Sequence, residues 1–292
     1  MGVHPKRWRN RLVEVRLLVL AVAISLLLVP TSSVIHASGE DIRIISKSPE
    51  SNFPSGIDFE LTVESTAEIT EVRLLFRSAG SSQVWSYAYP SFDAGTRVTA
   101  NHQLATSGNN YVPPGAEVEF QYIISDSAGN TLTSELTTFE YNDTRFNWDK
   151  TQIGPLQLVH HDTRQYNVDR VTSRITPAIQ RLNDLLEIKN GKKIKGIIYN
   201  RRSETQEAFP FQSQAISDAR VFQGFAFPNH RIFVGVGLDP RLIIHETTHL
   251  MMAQSLGERA QPLPAWLDEG FASFMEPDPH QTDSIRVHDM SM

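Results

Sequence analysis

Residues 239–249 read Asp-Pro-Arg-Leu-Ile-Ile-His-Glu-Thr-Thr-His, and residues 264–273 read Pro-Ala-Trp-Leu-Asp-Glu-Gly-Phe-Ala-Ser. Asp239 is a preferred N-cap residue, and Pro240 suits the first position of a helix. Gly257 is a good residue to end that helix. The first stretch therefore predicts a helix that runs from Asp239-Pro240 almost to Gly257, and the second stretch predicts a further helix.

Within the first of these helices, His245 and His249 are four positions apart and share one face. Two imidazoles in that arrangement can bind one metal ion, while Glu246 can face a water molecule beside the metal. Zinc lowers the pKa of such a water toward about 7, and a carboxylate can accept its proton. The spacing predicts His245 and His249 as metal ligands and Glu246 as the catalytic general base.

A third ligand is expected on the second helix. A catalytic zinc site has three protein ligands and leaves the fourth position open, and Glu269 can be the third. Gly270 has no side chain, so the two helices can approach closely. The alternative, that Asp268 and Glu269 form a solvated acidic turn, is less favoured beside the histidine pair. One Zn²⁺ is therefore predicted, held by the two histidines and Glu269.

The composition excludes several other classes of site. The chain has 292 residues, of which 40% are hydrophobic and 21% are charged, as in ordinary globular proteins. It contains no cysteine, which excludes disulfides, a thiolate zinc site and a cysteine nucleophile. Its formal net charge of −6 argues against broad nucleic-acid binding.

The N-terminal segment has the pattern of an export signal. The apolar run Leu17–Val29 is shorter than the roughly 20 residues that a membrane-spanning helix needs. Five basic residues precede it: Lys6, Arg7, Arg9, Arg11 and Arg16. Residues 1–37 therefore predict either a signal peptide cleaved before Ser38 or an uncleaved N-terminal membrane anchor at residues 17–29. The protein is expected to be exported, and either secreted or held at the cell surface.

From residue 40 to 145 the hydrophobic residues alternate with polar ones, as in Phe59, Leu61 and Val63. This period of two predicts about seven short strands and an N-terminal β-sandwich module. Residues 122–130 resemble the late hairpin of fibronectin type III and immunoglobulin-like modules.

After Trp148 the pattern changes. Three strands are predicted, at Leu156–Val159, Lys195–Tyr199 and Arg231–Val236. Between the first two, a helix of about 20 residues is indicated by apolar positions three and four apart. Residues 155–292 thus predict an α+β domain, and the whole chain is predicted to be multidomain.

The two zinc motifs together resemble a known family. HETTH followed by PAWLDEGFASF looks like the gluzincin pattern, and residues 155–276 are similar to the peptidase MA-like family of bacterial exported proteins. M1 aminopeptidases are less similar. The resemblance implies a gluzincin-type metallopeptidase domain with a mixed sheet plus active-site helices. It also implies zinc ligands His245, His249 and Glu269 with Glu246 as general base.

The resemblance carries two further implications. Some gluzincins place an aspartate four positions after the third ligand to orient a zinc histidine, so Ser273 is a weaker candidate for that role. Arg231–Val236 corresponds to the edge strand with which such enzymes hold an extended peptide.

The chain also departs from the family. Related enzymes continue further and supply a Tyr or His that stabilises the oxyanion, whereas this domain looks short at its C-terminus. Only His280 and His288 are downstream candidates, and neither is favoured. The pair His160-His161 is interpreted as structural, because neighbours on a strand point to opposite faces.

Two functional hypotheses remain open. The first is a zinc metallopeptidase that hydrolyses peptide bonds in a peptide or protein substrate. The alternative is a catalytically weak or inactive zinc-binding pseudopeptidase that acts as an exported binding or adhesion module. Intact Glu246 favours the enzyme, because a structural zinc ion needs no base; the short C-terminus favours the alternative.

Overall fold

A computed structural model describes residues 41–79, 84–188, 191–210, 223–257 and 263–277 of the chain. About 43% of the structure is strand and about 26% is helix. The predicted export segment, residues 1–37 with the apolar run 17–29, lies outside the described residues. Among the residues that are described, no helix is both long enough and apolar enough to cross a membrane.

The first sheet is antiparallel and has seven strands. They are β1 (Ile42–Asn52), β2 (Gly56–Ser78), β3 (Ser86–Ala88), β4 (Gly95–Ala105), β5 (Glu117–Asp126), β6 (Thr131–Thr133) and β7 (Thr137–Glu140). Strand β2 is 23 residues long and organises the sheet. Its first half pairs with β1 and β4, and its second half pairs with β3 and β5.

This sheet curls because β2 changes register in its middle. The pairing of β2 with β4 shifts between Glu64 and Ile69, and irregularities of this kind bend a strand and increase its twist. The buried faces of the two halves then meet. Phe59, in the first half of β2, packs on Phe120 of β5 with ring centroids 5.1 Å apart. The N-terminal module is therefore one curled sheet rather than the predicted β-sandwich.

The second sheet has five strands in the order β11-β12-β10-β9-β8. They are β8 (Asp149–Ile153), β9 (Leu156–His160), β10 (Ile194–Tyr199), β11 (Gly224–Phe227) and β12 (Ile232–Val236). The three central strands are parallel, and β8 and β11 are antiparallel edges. The expectation that Arg231–Val236 forms the edge is wrong, because β11 covers that side of β12.

Within the described residues, three helices accompany the second sheet: α1 (Gln165–Leu185), α2 (Pro240–Leu256) and α3 (Ala265–Met275). Helix α1 continues through Pro177. Its buried residues recur at three and four positions, as the sequence predicts: Val168, Val171, Ile175, Ile179 and Leu182. The last four of these pack with residues of β9, β10 and α2 in one hydrophobic cluster.

The two sheets share a hydrophobic core. Val159 and Ile197 of the second sheet belong to the same buried cluster as Phe59 and Phe120 of the first. The Nζ atom of Lys195 also reaches the first sheet, where the carboxylates of Glu117 and Glu140 lie 2.8 and 2.9 Å away. All described residues fall in a single compact unit.

The predicted fold class is therefore wrong. The chain is not an N-terminal β-sandwich followed by an α+β gluzincin-type domain, but a mostly β structure with a curled antiparallel sheet and few helices. Hydrophobic periodicity predicted individual strands, but it could not show how the sheet curls or that one core serves both sheets. Independent folding of the two segments, residues 40–145 and residues 155–292, stays a prediction.

Candidate metal centre

Helix α2 has the ends that its sequence predicts. The Asp239 side chain accepts a hydrogen bond from the backbone N–H of Arg241 at 2.9 Å, and Pro240 occupies the first turn. The helix ends at Gly257, whose φ of 77° is a conformation that glycine adopts without strain. These ends set the limits of the helix that carries His245, Glu246 and His249.

The three predicted metal ligands come together between α2 and α3. One ligand atom from each of His245, His249 and Glu269 lies within 4.8 Å of the other two. The imidazole rings of the two histidines are 4.9 Å apart between centroids and are inclined at 77°. Among the described residues, this is the single group of three or more such side chains that could hold a metal ion.

The distances within this group suit a tetrahedral zinc ion. Nε2 of His245 lies 3.2 Å from Oε2 of Glu269, and Nε2 of His249 lies 3.8 Å from the same oxygen. Zinc ligands about 2.0–2.2 Å from a tetrahedral ion lie roughly 3.3 Å from one another. Two imidazole nitrogens and one carboxylate oxygen are also a common donor set for catalytic zinc, so the residues fit the metal.

Both histidines have their other ring nitrogen close to a carboxylate. Nδ1 of His245 lies 3.0 Å from Oε1 of Glu276, and Nδ1 of His249 lies 3.1 Å from Oδ1 of Asp268. The first of these contacts is a hydrogen bond, and because an ionised carboxylate only accepts, a neutral His245 that makes it carries its proton on Nδ1. Nε2 of His245 is then the nitrogen with a lone pair, on the side of Glu269.

Glu246 is beside the ligands but is not one of them. Its side chain is almost fully buried, next to Gly224 of the edge strand β11. Burial, opposed by His245 and reinforced by the negative charge of Glu269, raises the pKa of Glu246 to about 7. A carboxyl group with a pKa near neutrality is well suited to accept and return a proton at physiological pH.

The residue that contacts a zinc histidine from α3 in the structure is not the predicted Ser273. Ser273 is exposed, and within the described parts of the chain its side chain makes no hydrogen bond to either histidine. Glu276, at the C-terminal end of α3, makes that contact instead. The sequence contains a signal for it, since Glu276 follows Ser273 by three positions and so lies near the same side of the helix.

The sequence also makes predictions for four other histidines, two near the start of the second sheet and two near the C-terminus. His160 is buried, with Nε2 3.2 Å from the Thr151 hydroxyl. His161 is stacked on Phe146 at 4.1 Å and contacts the Glu204 carboxylate at 3.2 Å. Neither belongs to the metal-ligand group, in agreement with a structural role. The predicted candidates His280 and His288 lie outside the described residues.

No protein-family model matches this sequence, and no curated protein matches it either. Several solved structures are similar to parts of it. A carbohydrate-binding module family 56 β-1,3-glucan binding domain is 18% identical, with a TM-score of 0.22, and the match covers 34% of this chain and 99% of that one.

Two further solved structures are similar to this chain, again with low sequence identity and a low TM-score. A GH family 64 laminaripentaose-producing β-1,3-glucanase from Paenibacillus barengoltzii is 16% identical over 35% of this chain and 21% of its own, with a TM-score of 0.22. An aminopeptidase N family protein from Idiomarina loihiensis is 11% identical over 75% of this chain, with a TM-score of 0.30. This chain spans about half (51%) of that protein. All three TM-scores are below 0.5, so none of these similarities establishes a shared fold or function.

Proposed function

We propose that this chain is an exported zinc metallopeptidase with the HExxH…E ligand pattern, similar to the peptidase MA-like family. The observation that carries the proposal is the convergence of three candidate ligand atoms, the Nε2 atoms of His245 and His249 and Oε2 of Glu269. Two imidazole nitrogens and one carboxylate oxygen in this arrangement can bind one zinc ion and leave a fourth position open. Glu246, buried beside them without joining the group, supplies the base that a purely structural zinc site would not need.

The proposed mechanism assigns each residue a role. Zinc held by the three ligands would polarise the substrate carbonyl and lower the pKa of the attacking water. Glu246 takes a proton from that water and later returns it to the departing amine. Strand β11, the last strand on that side of the sheet among the described residues, lies against Glu246, and an edge strand so placed can hold an extended peptide by strand addition.

The alternative is an exported zinc-binding pseudopeptidase that acts as a binding or adhesion module. One observation favours it: in the described part of the site, no tyrosine and no further histidine is hydrogen-bonded to the ligands or to Glu246. A group that stabilises the oxyanion is worth about 100- to 1,000-fold in rate, so a site that lacked one would be a weak enzyme.

Metal content and hydrolysis, measured on the same preparation, test the proposal. We expect about one zinc per molecule by plasma mass spectrometry and zinc-dependent cleavage of a mixed peptide library. A chelator should abolish cleavage, and added zinc should restore it. Zinc without detectable hydrolysis would favour the pseudopeptidase, and a preparation that binds no zinc would exclude both forms of the proposal.

A further inference from the structure

One face of strand β11 lies against α2. Gly224 is next to Glu246, and Ala226 packs on the hydrophobic cluster that α2 shares with α1. Successive side chains of a strand point to opposite faces, so Phe225 and Phe227 project away from α2. The strand has four residues, and in the described part of the chain it is paired with β12 alone. So short an edge strand depends on side-chain packing to stay in place.

The other face of β11 meets the connection between β4 and β5 of the first sheet. Tyr111, in that connection, packs on Phe227 with ring centroids 5.5 Å apart. Its hydroxyl donates a hydrogen bond to the backbone oxygen of Ala208 at 2.6 Å. The next residue, Phe209, packs on Phe225 at 4.9 Å between centroids. Burial raises the pKa of Tyr111 well above its usual value, so the hydroxyl stays protonated and remains a donor. Tyr111 thus supports β11 directly through Phe227 and indirectly through Phe209.

The first sheet also contacts the turn between β11 and β12. Nδ1 of His230, in that turn, lies 3.0 Å from Oγ of Ser78, the last residue of β2. Burial and the positive charge of Arg231 lower the pKa of His230, so the ring is neutral around neutral pH and either atom of this pair can be the donor. The hairpin is therefore held by the first sheet at its turn as well as along β11.

We infer that Tyr111 is a positioning residue, which supports β11 from the face opposite α2 and so keeps Gly224 against the carboxylate of Glu246. The support of β11 follows from the contacts alone, whereas its effect on hydrolysis rests on the proposed function. A Cβ placed on Gly224 would lie 2.8 Å from Oε1 of Glu246, so little space separates the strand from the proposed base. A small movement of β11 therefore changes the surroundings of that base.

The support of β11 can be measured without metal or substrate. Hydrogen–deuterium exchange of the full chain, resolved by peptide mass spectrometry, reports how often the backbone of β11 opens. Tyr111→Ala should raise exchange in residues 223–227 by roughly 2- to 10-fold, the factor expected for the loss of one aromatic pair. Exchange in β9, at the centre of the second sheet, should stay at the parental rate. Ser78→Ala removes a single hydroxyl and should raise exchange in residues 227–232, which tests the same support if Tyr111→Ala does not fold.

The effect on hydrolysis is measured on the zinc-loaded chain. Tyr111→Ala should lower kcat by about 10- to 100-fold, the upper value being the cost of a misplacement of about 1 Å. Zinc content should stay at the parental value, because Tyr111 contacts none of the proposed ligands in the described structure. Tyr111→Phe keeps the ring against Phe227 and loses the hydrogen bond to Ala208, so it should recover most of the parental kcat.

Val63→Ala is the matched control for a general loss of stability. Val63 is fully buried in the first sheet, where it is paired with Ile44 of β1 and Val98 of β4. Its truncation should lower the melting temperature and leave both the exchange of β11 and kcat at parental values.

The outcomes separate this inference from the proposed function. If exchange changes as expected but the parent binds no zinc, the support of β11 stands and the proposed function fails. If Tyr111→Ala leaves the exchange of β11 unchanged, or Val63→Ala raises it equally, the inference is overturned. A parental kcat in Tyr111→Ala, with faster exchange in β11, would likewise show that Tyr111 does not position the base.

Discussion

Gly224 of β11 lies directly against the carboxylate of Glu246. A Cβ atom placed on Gly224 would be 2.8 Å from Oε1 of Glu246, a distance that requires one of the two to move. Glycine therefore allows the edge strand to cover this carboxylate. Burial is the main cause of the raised pKa of Glu246.

Gly224→Ala is expected to displace Glu246 without touching a metal ligand. Peptide hydrolysis should fall by about 100-fold, because a misplacement of about 1 Å can cost that much in rate. Zinc content should stay at the parental value. Gly95→Ala in β4 is the matched control, since a Cβ there meets no atom closer than 3.5 Å. Parental hydrolysis by Gly224→Ala would show that this contact does not position the base.

Glu246→Gln should separate catalysis from metal binding. The amide keeps the shape of the side chain but cannot accept the proton, so hydrolysis should decrease by at least about 100-fold. Zinc content should not change, because Glu246 does not belong to the ligand group. Equal rates for the variant and the parent would refute the proposed role of Glu246.

Glu269→Ala should lose the metal. Its Oε2 atom faces Nε2 of both His245 and His249, so removal leaves two ligands of the three that a catalytic zinc site requires. Isothermal titration of the metal-free variant with zinc should show greatly weakened binding. Tight binding by the variant would mean that another residue is the third ligand.

Ile197→Ala tests whether the two sheets unfold together. Ile197 is almost fully buried in the core that both sheets share, and its truncation should lower the free energy of unfolding by about 2–5 kcal/mol. We expect one transition in denaturant, shifted as a whole. Ile45→Ala, at a residue that is 40% exposed, is the control and should have little effect. If unfolding instead shows two transitions and Ile197→Ala shifts one of them, the result would support a domain boundary between residues 145 and 155.

The export prediction is independent of the metal site. If residues 1–37 direct export, mass spectrometry of the exported protein should find an N-terminus near Ser38, or an intact N-terminus in the membrane fraction. Full-length protein recovered exclusively from the cytosol would contradict both versions.

Some features of this protein follow from short-range sequence rules. The four-residue spacing of His245 and His249 places both on one face of a helix, and Asp239, Pro240 and Gly257 set the limits of that helix. The alternation of Phe59, Leu61 and Val63 likewise identifies the buried face of β2. Backbone geometry enforces these patterns over a few residues, so they can be predicted without knowing the fold.

Other features depend on contacts between distant segments. Glu276 reaches His245 across 31 positions, Gly224 covers Glu246 from another element, and Ile197 joins a core built mostly by the first sheet. Periodicity indicates which face of an element is buried, but not which element covers it. The sequence by itself determined the ligand spacing and the buried face of strands such as β2. The tertiary structure decided that one sheet curls, that β11 is the edge, and which carboxylates hold the histidines, because each depends on how whole elements pack.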